Sequence, residues 1–461
     1  RIIMATETRI LDQTDENKLP LSEKLTFGFG NLAANLMLTT ASSFITYYYT
    51  DVVGLSAVIV GNILLWARLF DGASDLAMGA IVDKTRSKHG KARPWILWMA
   101  IPYALAMILL FTSPDFLGST GKAVYAFVTY VIALAGVYTA TMVPYNAMIG
   151  TTTSNPVDRG NLSTSRTLAG FVGAMGVTAA VLPIVNFFGG DKQAWTWMAA
   201  LFGGISTVLL LILFKNSKER VIESAVAVEK VPLKKNLKAL LQNKYWVIMI
   251  LYMLISFISS GLGGINIFYA QWILGDPAKV AVIGILSFMP IAVGAVFMPV
   301  LLSKFSKKTI TLIGGIVMMI GLLIIAVFPE NFTMIMVGLI IRGLGIAPGA
   351  VAGFAMLGDV ADYGEWKTGI RSEGLIFSAG TFAEKVGSGV GGLILGVVLG
   401  LGGYVSQGAT QSTEALFAIK AIFAYLPLAF TAICILLILF YDLDKKLPEI
   451  AEDLKAKRVN G

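Results

Sequence analysis

Cysteine and histidine are almost missing from this sequence, which holds one of each, Cys434 and His89, in 461 residues. A single cysteine cannot close an intramolecular disulfide, and the two residues together are too few for a zinc cluster. His89 lies in the basic segment DKTRSKHGKARPW, which is typical of a solvated turn. A histidine-based catalytic triad or proton relay is therefore not expected. No GxxxxGK[ST] phosphate-binding loop is present either, so we predict no ATP hydrolysis, no cofactor, no metal centre and no enzyme activity.

Charged residues are also scarce. They make up 14% of the chain, against about 25% in soluble globular proteins. Hydrophobic residues reach 56%, and the mean hydropathy is +0.75. This composition predicts an integral membrane protein.

The apolar residues fall into twelve runs of about 17–25 residues, the length that crosses a hydrocarbon core of about 30 Å. Only helices and closed barrels satisfy their backbone groups in lipid, and runs this long do not alternate as barrel strands do. We therefore predict an all-α membrane protein with twelve transmembrane helices. The runs begin near Leu25, Val58, Pro94, Lys122, Ser163, Ala194, Tyr245, Lys279, Thr309, Phe332, Leu375 and Glu414.

The basic residues are distributed unevenly between the two sides of the predicted bundle. With the N-terminus inside, the outer loops hold only Lys122, Lys192 and Lys279, and most of the 36 lysines and arginines lie in the inner segments. The positive-inside rule then places both termini in the cytoplasm. The net charge of +8 is explained by topology, so we expect no nucleic-acid partner.

One charged stretch, KNSKERVIESAVAVEKVPLKKNLKALLQNK, divides the runs into two groups of six. We predict two six-helix halves at 25–214 and 245–441, a cytoplasmic N-terminal segment at 1–24, a central loop at 215–244 and a tail at 442–461. This is the architecture of the major facilitator superfamily, in which the substrate site lies between the halves near the bilayer midplane.

Arg68, Asp71 and Asp75 place three charges inside the second apolar run. At spacings of three and four they share one helix face. Each charge at mid-membrane depth costs about 2.5–3.5 kcal/mol on insertion scales, so it requires water, an ion or a partner charge. The two acids are about 6 Å apart along the helix axis, close enough for one monovalent cation to contact both. We predict a transport site, with a structural ion pair as the alternative.

Five separated segments carry a family resemblance. They are KLTFGFGNLAANLM, ARLFDGASDLAMGAIVDKTRSKHGKARPW, VTYVIALAGVYTATMVPYNA, LGDVADYGEWKTGIRSEG and SAGTFAEKVGSGVGG. In this order, and at these ends of the runs, they resemble the glycoside-pentoside-hexuronide:cation symporters, the melibiose permease-like branch of the major facilitator superfamily. The match covers nearly the whole chain.

The resemblance implies a coupling site. In this family the acids matching Asp71 and Asp75 bind the coupling cation, and a lysine matching Lys385 faces them from the other half. Met142 stands where melibiose permease has a third acid, although Thr139 keeps a hydroxyl one turn away. Sodium prefers several oxygen ligands and a proton needs one carboxylate, so H⁺ is favoured over Na⁺. Arg68 completes the predicted group. A structural bridge is the alternative role for the lysine.

One further acid, Glu384, precedes Lys385 in the eleventh run. It points about 100° away around the helix. We therefore expect it to serve another contact.

The substrate site is marked less clearly. Asn35 stands where melibiose permease has a sugar-binding aspartate, and Asn146 and Ala350 stand where it has aromatic residues, which argues against a galactoside pocket. Arg166 would suit a glucuronide carboxylate. For the tyrosines, packing or interfacial anchoring is the alternative. The candidate substrate-binding residues are Asn31, Asn35, Asn146, Arg166, Tyr138, Tyr145, Asn266, Tyr269 and Lys385.

Two charged loops at the inner ends of the halves resemble the family's cytoplasmic motifs. Charge networks there can hold the inner ends together in the outward-open state and separate in the inward-open state. For the first loop, a solvated basic segment that only sets topology is the alternative. The candidate latch residues are Asp83, Arg86 and Arg93 in the first loop and Asp362, Glu365, Arg371 and Glu373 in the second.

The sequence thus predicts a monomeric, multi-pass symporter of the inner (plasma) membrane that imports a glycoside with H⁺, or alternatively Na⁺, by alternating access. The first-run asparagines and the missing third acid are closer to xyloside or glucuronide carriers than to melibiose carriers, so an α-xyloside such as isoprimeverose is the substrate hypothesis. A lysolipid transporter on the same scaffold is a rival. A membrane-embedded enzyme is a second rival, although the nucleophile and metal chemistry it needs is missing.

Overall fold

The computed structural model describes residues 19–220, 240–369, 373–406, 408 and 410–460, and every regular element in these ranges is helical. Twelve long helices and a shorter C-terminal one follow each other along the described chain. They are α1 Leu21–Tyr47, α2 Ala57–Lys84, α3 Arg93–Leu110, α4 Ser119–Thr152, α5 Pro156–Phe187, α6 Lys192–Asn216, α7 Lys244–Trp272, α8 Val280–Lys304, α9 Lys307–Val327, α10 Phe332–Thr368, α11 Glu373–Leu401, α12 Thr413–Lys445 and α13 Leu447–Asn460. The predicted all-α class is confirmed.

Eleven of the described helices, α2 to α12, are long and apolar enough to cross a membrane. The 27-residue helix α1 is long enough but less apolar, because Asn31, Asn35 and several threonines interrupt its sequence. These side chains bond within the protein, as shown below. The prediction of twelve spans is confirmed for eleven of them, and a membrane-spanning α1 stays a prediction.

Polar side chains set where many of these helices begin. The first N–H groups of a helix have no partner inside it, and a side-chain oxygen just before the helix can accept from one of them. Seven long helices of the described chain start in this way. The capping residues are Ser56, Asn155, Asp191, Asn243, Ser306, Asn331 and Ser412.

The two predicted halves, α1 to α6 and α7 to α12, share an apolar core that fills the length of the first half and meets the second half at one end of the bundle. We call this the outer end, where α1 ends and α2 begins, and the opposite end the inner end. The shared core runs from Tyr48 and Trp195 in the first half to Phe268 in the second. A separate core, which includes Met356 and Ile450, fills the inner end of the second half. The halves are thus joined mainly at the outer end.

Helices α2 and α11 pack closely against each other across the interface between the halves. A Cβ added to Gly396 would lie 2.3 Å from the carbonyl oxygen of Ala57 and 2.8 Å from the Cα of Gly61. Real Cβ atoms do not approach backbone this closely, so the crossing requires glycine. In membranes, helix association depends on such close packing because lipid tails are as apolar as the helices themselves.

The segment boundaries are only partly covered by the structure. Helix α6 ends at Asn216 and α7 begins at Lys244, and most of the predicted central loop, 221–239, lies outside the described residues. The tail contains α13, which packs through Ile450 and Leu454 against the inner end of the second half. The domain boundaries stay a prediction.

A Gly396→Ala substitution should therefore destabilise the protein, although alanine normally favours a helix over glycine. We expect a loss of about 1–3 kcal/mol, the usual cost of overpacking, seen as a lower midpoint of thermal unfolding in detergent. Gly204→Ala in α6 is the matched control, because nothing lies within 4 Å of its added Cβ. Equal midpoints for the two variants would contradict the packing described here.

Candidate functional site

A lysine from the second half holds both acids of the predicted coupling site. The Lys385 Nζ lies 2.9 Å from Asp71 Oδ1 and 2.6 Å from Asp75 Oδ2, and it also donates to the backbone oxygen of Asp71 at 3.1 Å. These bonds cross the interface between α11 and α2. The ammonium therefore occupies the position that a coupling cation would need.

The two acids differ in their access to solvent. The Asp71 side chain is 1% exposed and that of Asp75 is 33% exposed. Arg68 reaches Asp71 from one turn earlier, with 3.3 Å between its guanidinium nitrogen and Oδ2. Asp71 is thus held by two cations inside the protein, and Asp75 is the acid that water or an ion can reach.

The hydroxyl of Thr139 lies between the acids. Its oxygen is 2.9 Å from Asp71 Oδ1 and 3.0 Å from Asp75 Oδ1. A hydroxyl carries one proton and can donate to one carboxylate only. The second contact is a hydrogen bond only when the other acid is protonated and donates to the Thr139 oxygen. Thr139 directly follows a π-helical stretch, Ile132–Tyr138, and π-helical turns occur often at functional sites.

Glu384 belongs to the same charged group. It makes no hydrogen bond or ion pair within the described residues, yet its charge interacts with Arg68, Lys385, Asp71 and Asp75. Its side chain is exposed. That Glu384 serves another contact stays a prediction.

Asn31 and Asn35 join α1 to its neighbours. The Asn31 amide donates to the backbone oxygen of Arg166 on α5 at 2.9 Å. The Asn35 amide donates to the Asn31 backbone oxygen, and its side-chain oxygen accepts from Thr39, both at 2.9 Å. Both side chains are half-buried. In this conformation both polar groups of the Asn35 side chain bond within α1, and the Asn31 amide joins α1 to α5.

Two of the predicted substrate tyrosines are fully buried. Tyr145 stacks on Phe27 with ring centroids 4.8 Å apart, and its hydroxyl donates to the Phe27 backbone oxygen at 2.6 Å. Tyr269 stacks on Phe423, and its hydroxyl donates to the backbone oxygen of Pro329. Both have 0% exposed surface. They pack the bundle in this conformation and offer no surface to a substrate.

The other predicted substrate residues keep accessible polar groups. Tyr138 is half-buried beside the coupling site, where it interacts electrostatically with Asp71 and Glu384. Asn146 is exposed, and Asn266 is half-buried. The Arg166 guanidinium is half-buried and makes no hydrogen bond or ion pair within the described part of the chain.

The predicted latch residues of the first half bond within that half. Arg86 donates to the backbone oxygens of Asp83 and Thr85. Arg93 donates to the backbone oxygen of Phe214 and lies over its ring, with 4.2 Å from the guanidinium carbon to the ring centroid. None of these bonds reaches the second half.

The latch residues of the second half are only partly described. Asp362 and Glu365 lie near the inner end of α10. Arg371 and the side chain of Glu373 lie outside the described residues. The latch stays a prediction.

A polar contact that the sequence did not suggest closes the outer end between the halves. The Tyr404 hydroxyl donates to Asp51 Oδ1 at 2.7 Å, and the indole of Trp272 donates to the Tyr404 oxygen at 3.1 Å. The Phe268 ring packs between Tyr404 and Tyr47, its centroid 5.3 and 5.7 Å from theirs. In the sequence Asp51 looks like any acid near a helix end, and its partner Tyr404 is 353 positions away. Only the fold reveals the pair.

Arg342 is a second residue that the sequence analysis left without a role. It lies in the first third of α10, and its Nε is buried without a hydrogen-bond partner in the described residues. A charge in an apolar run is the signal that could have identified it.

The family described as MFS/sugar transport protein matches residues 26–445. The chain belongs to this family. As an MFS/sugar transport protein it is a member of the major facilitator superfamily and a transporter, not an enzyme, as predicted. The resemblance to glycoside and cation symporters is thereby confirmed.

Relatives of this MFS/sugar transport protein are named as symporters and sugar transporters. The isoprimeverose transporter of Lactiplantibacillus pentosus is 34% identical over 96% of this chain and 93% of its own length. The inner membrane symporter YicJ of Escherichia coli (strain K12) is 30% identical, over 91% and 90%. The crystal structure of a D-xylose-proton symporter has a TM-score of 0.65 at 15% identity, over 92% of this chain and 98% of that one, which shows the same fold.

Removing Lys385 from this MFS/sugar transport protein should leave Asp71 and Asp75 with one cation. Breaking a buried ion pair from one side costs about 3–5 kcal/mol. We expect Lys385→Met to lower the thermal midpoint strongly and Lys385→Met with Asp71→Asn to recover at least half of the loss. Simple addition of the two single effects would show that lysine and acid do not interact.

Tyr404→Phe should weaken the outer closure, because a hydrogen bond to a charged group contributes about 1.5–3 kcal/mol. The reporter is Thr46→Cys in a Cys434→Ser background. Thr46 is 2% exposed and lies at the outer interface, because its hydroxyl is 3.2 Å from a Cβ placed on Gly264 of the second half. We expect an impermeant maleimide to label it about ten-fold faster. Tyr425→Phe is the control, because that hydroxyl makes no hydrogen bond in the described residues. An unchanged labelling rate in Tyr404→Phe would exclude a closing role.

Proposed function

We propose that this MFS/sugar transport protein is a secondary active symporter that imports a glycoside together with a cation. The observation that carries the proposal is the position of Lys385, which bridges Asp71 and Asp75 across the interface between the halves at 2.9 and 2.6 Å. A cation that binds the acids must displace the ammonium. Binding would then release a bond between the halves, which couples the ion to the conformational change.

The coupling ion that the site favours is H⁺. Two carboxylates and one hydroxyl, from Asp71, Asp75 and Thr139, are few oxygens for Na⁺, and Met142 supplies none. The Thr139 hydroxyl instead leaves one hydrogen bond to be completed by a proton on either acid. Asp75, the exposed member of the pair, is the acid we expect to receive it.

The polar contacts at the outer end, with the first-half arginines bonded inside their own half, fit an inward-facing carrier. We infer a monomer in the inner membrane with both termini in the cytoplasm, as the charge bias suggests. Each charge that enters adds about 2.3 kcal/mol of driving force per 100 mV of potential. Opening at the outer end would then admit substrate from outside.

For the substrate we propose an α-xyloside such as isoprimeverose, in line with the name of the relative from Lactiplantibacillus pentosus. Asn146, Tyr138 and Asn266 present accessible hydrogen-bonding groups suited to neutral hydroxyls. An anionic glycoside such as a glucuronide is the second candidate. It is favoured by one observation, the half-buried Arg166 guanidinium that has no partner in the described chain.

Uptake into proteoliposomes across a panel of xylosides, glucosides and glucuronides, under separate H⁺ and Na⁺ gradients, tests both substrate and ion. We expect accumulation of an α-xyloside under an inward H⁺ gradient. Asp71→Asn and Asp75→Asn should each abolish accumulation, because each removes a carboxylate that the cation needs.

Asp115→Asn is the matched control, since this acid is 90% exposed in the loop after α3 and its partner is Lys192. Full accumulation by both Asp71→Asn and Asp75→Asn would contradict the proposal. Accumulation driven only by Na⁺ would make Na⁺ the coupling ion instead of H⁺. Uptake of glucuronides alone, with its loss in Arg166→Gln, would make a glucuronide the substrate instead of a xyloside.

A further inference from the structure

The chain that leaves α6 at the inner end turns back and caps the start of α3. The Glu219 carboxylate accepts from three successive backbone N–H groups, those of Lys91, Ala92 and Arg93, at 3.0, 2.8 and 2.6 Å. The first N–H groups of a helix have no partner inside it. A glycine lets the carboxylate come this close, because a Cβ on Gly90 would lie 2.5 Å from its carbon. The cap of α3 is therefore supplied by a distant part of the chain.

The start of α3 in turn holds the end of α6. Two nitrogens of the Arg93 guanidinium donate to the backbone oxygen of Phe214, at 3.0 and 2.7 Å. Phe214 lies in the last turn of α6, where backbone oxygens have no partner inside the helix. The two helices thus cap each other at the inner end.

The same segment is also fixed to α1 and α4. The Arg220 guanidinium forms a bidentate pair with Glu23 of α1, with both distances 2.8 Å, and the backbone N–H of Arg220 donates to the oxygen of Thr151 of α4 at 2.9 Å. The backbone N–H of Lys218 adds a bond of 3.1 Å to Glu23. Bidentate pairs of this kind are strong and directional. Glu23 is 3% exposed, so it would be left as an uncompensated buried charge if the segment moved away.

We propose that segment 217–220, together with Glu23 and Arg93, forms a clamp that stays closed through the whole transport cycle. We call it the inner clamp. Every bond described above lies within the first half, so movement of one half against the other does not require any of them to break. Arg93 then belongs to the inner clamp and is not a latch residue that changes partners when the inner ends of the halves meet. The inference goes beyond the proposed function, since it depends on neither the substrate nor the ion.

The first test measures opening of the inner clamp. The reporter is Ser217→Cys in a Cys434→Ser background, because Ser217 is 0% exposed and its hydroxyl has no hydrogen-bond partner in the described residues. Since hydrogen bonds to a charged group are among the stronger ones, we expect Glu219→Ala to raise the rate of labelling by an impermeant maleimide in detergent about ten-fold. Glu449→Ala, an exposed acid in the first turn of α13, is the matched control. An unchanged rate in Glu219→Ala would overturn the inference.

Crosslinking tests whether the inner clamp stays closed during transport. Glu23→Cys and Arg220→Cys, in the Cys434→Ser background, are joined by a short bifunctional thiol reagent in place of the ion pair. We expect no loss of glycoside counterflow in proteoliposomes relative to the Cys434→Ser parent. Asp51→Cys with Tyr404→Cys is the matched control, because a link there ties the two halves at the outer end and should abolish counterflow.

Loss of counterflow in the crosslinked clamp pair, as in the outer pair, would overturn the inference and return Arg93 to the latch. If Glu219→Ala does not fold, Glu219→Gln is measured in its place with the same criterion. Counterflow requires alternation but no ion gradient. Absence of gradient-driven uptake in the wild type would therefore refute the proposed symport and leave the inner clamp testable, so the two failures are distinguishable.

Discussion

The ion bridge from Lys385 to Asp71 and Asp75 is the interaction on which the rest of the structure depends. It is the place where ionic charge and the interface between the halves meet. Two charges 4 Å apart attract by about 4 kcal/mol at an effective dielectric constant of 20. An interaction of this size is large enough to hold one conformation and small enough for an arriving cation to replace. The same bond can therefore be both a structural contact and a switch.

The sequence revealed the charged cluster because charge is expensive in lipid. Arg68, Asp71 and Asp75 stand out in an apolar run, and the structure joins them to Lys385 and Thr139 as the family resemblance implies. The helical class was predictable for the same reason, since backbone in lipid must bond to itself. What costs free energy in a membrane is visible in the sequence.

Roles that depend on neighbours could not be predicted in this way. Tyr145 and Tyr269 have the right chemistry for a sugar site, but their hydroxyls bond to backbone oxygens that only the folded chain brings near. Tyr404 and Asp51 are 353 positions apart and belong to loops or helix ends, where polar residues are ordinary.

The apolar packing at the outer end affects how strongly the carrier binds a ligand offered from outside. Opening that end would separate the Phe268 ring from Tyr47 and expose it to water, which costs free energy. The larger this cost is, the smaller is the fraction of the empty protein that faces outward. A ligand offered from outside binds only that fraction, so its apparent dissociation constant is the intrinsic one divided by the fraction. The packing at the outer end therefore contributes to the apparent affinity that a ligand has from outside, although these rings need not touch the ligand.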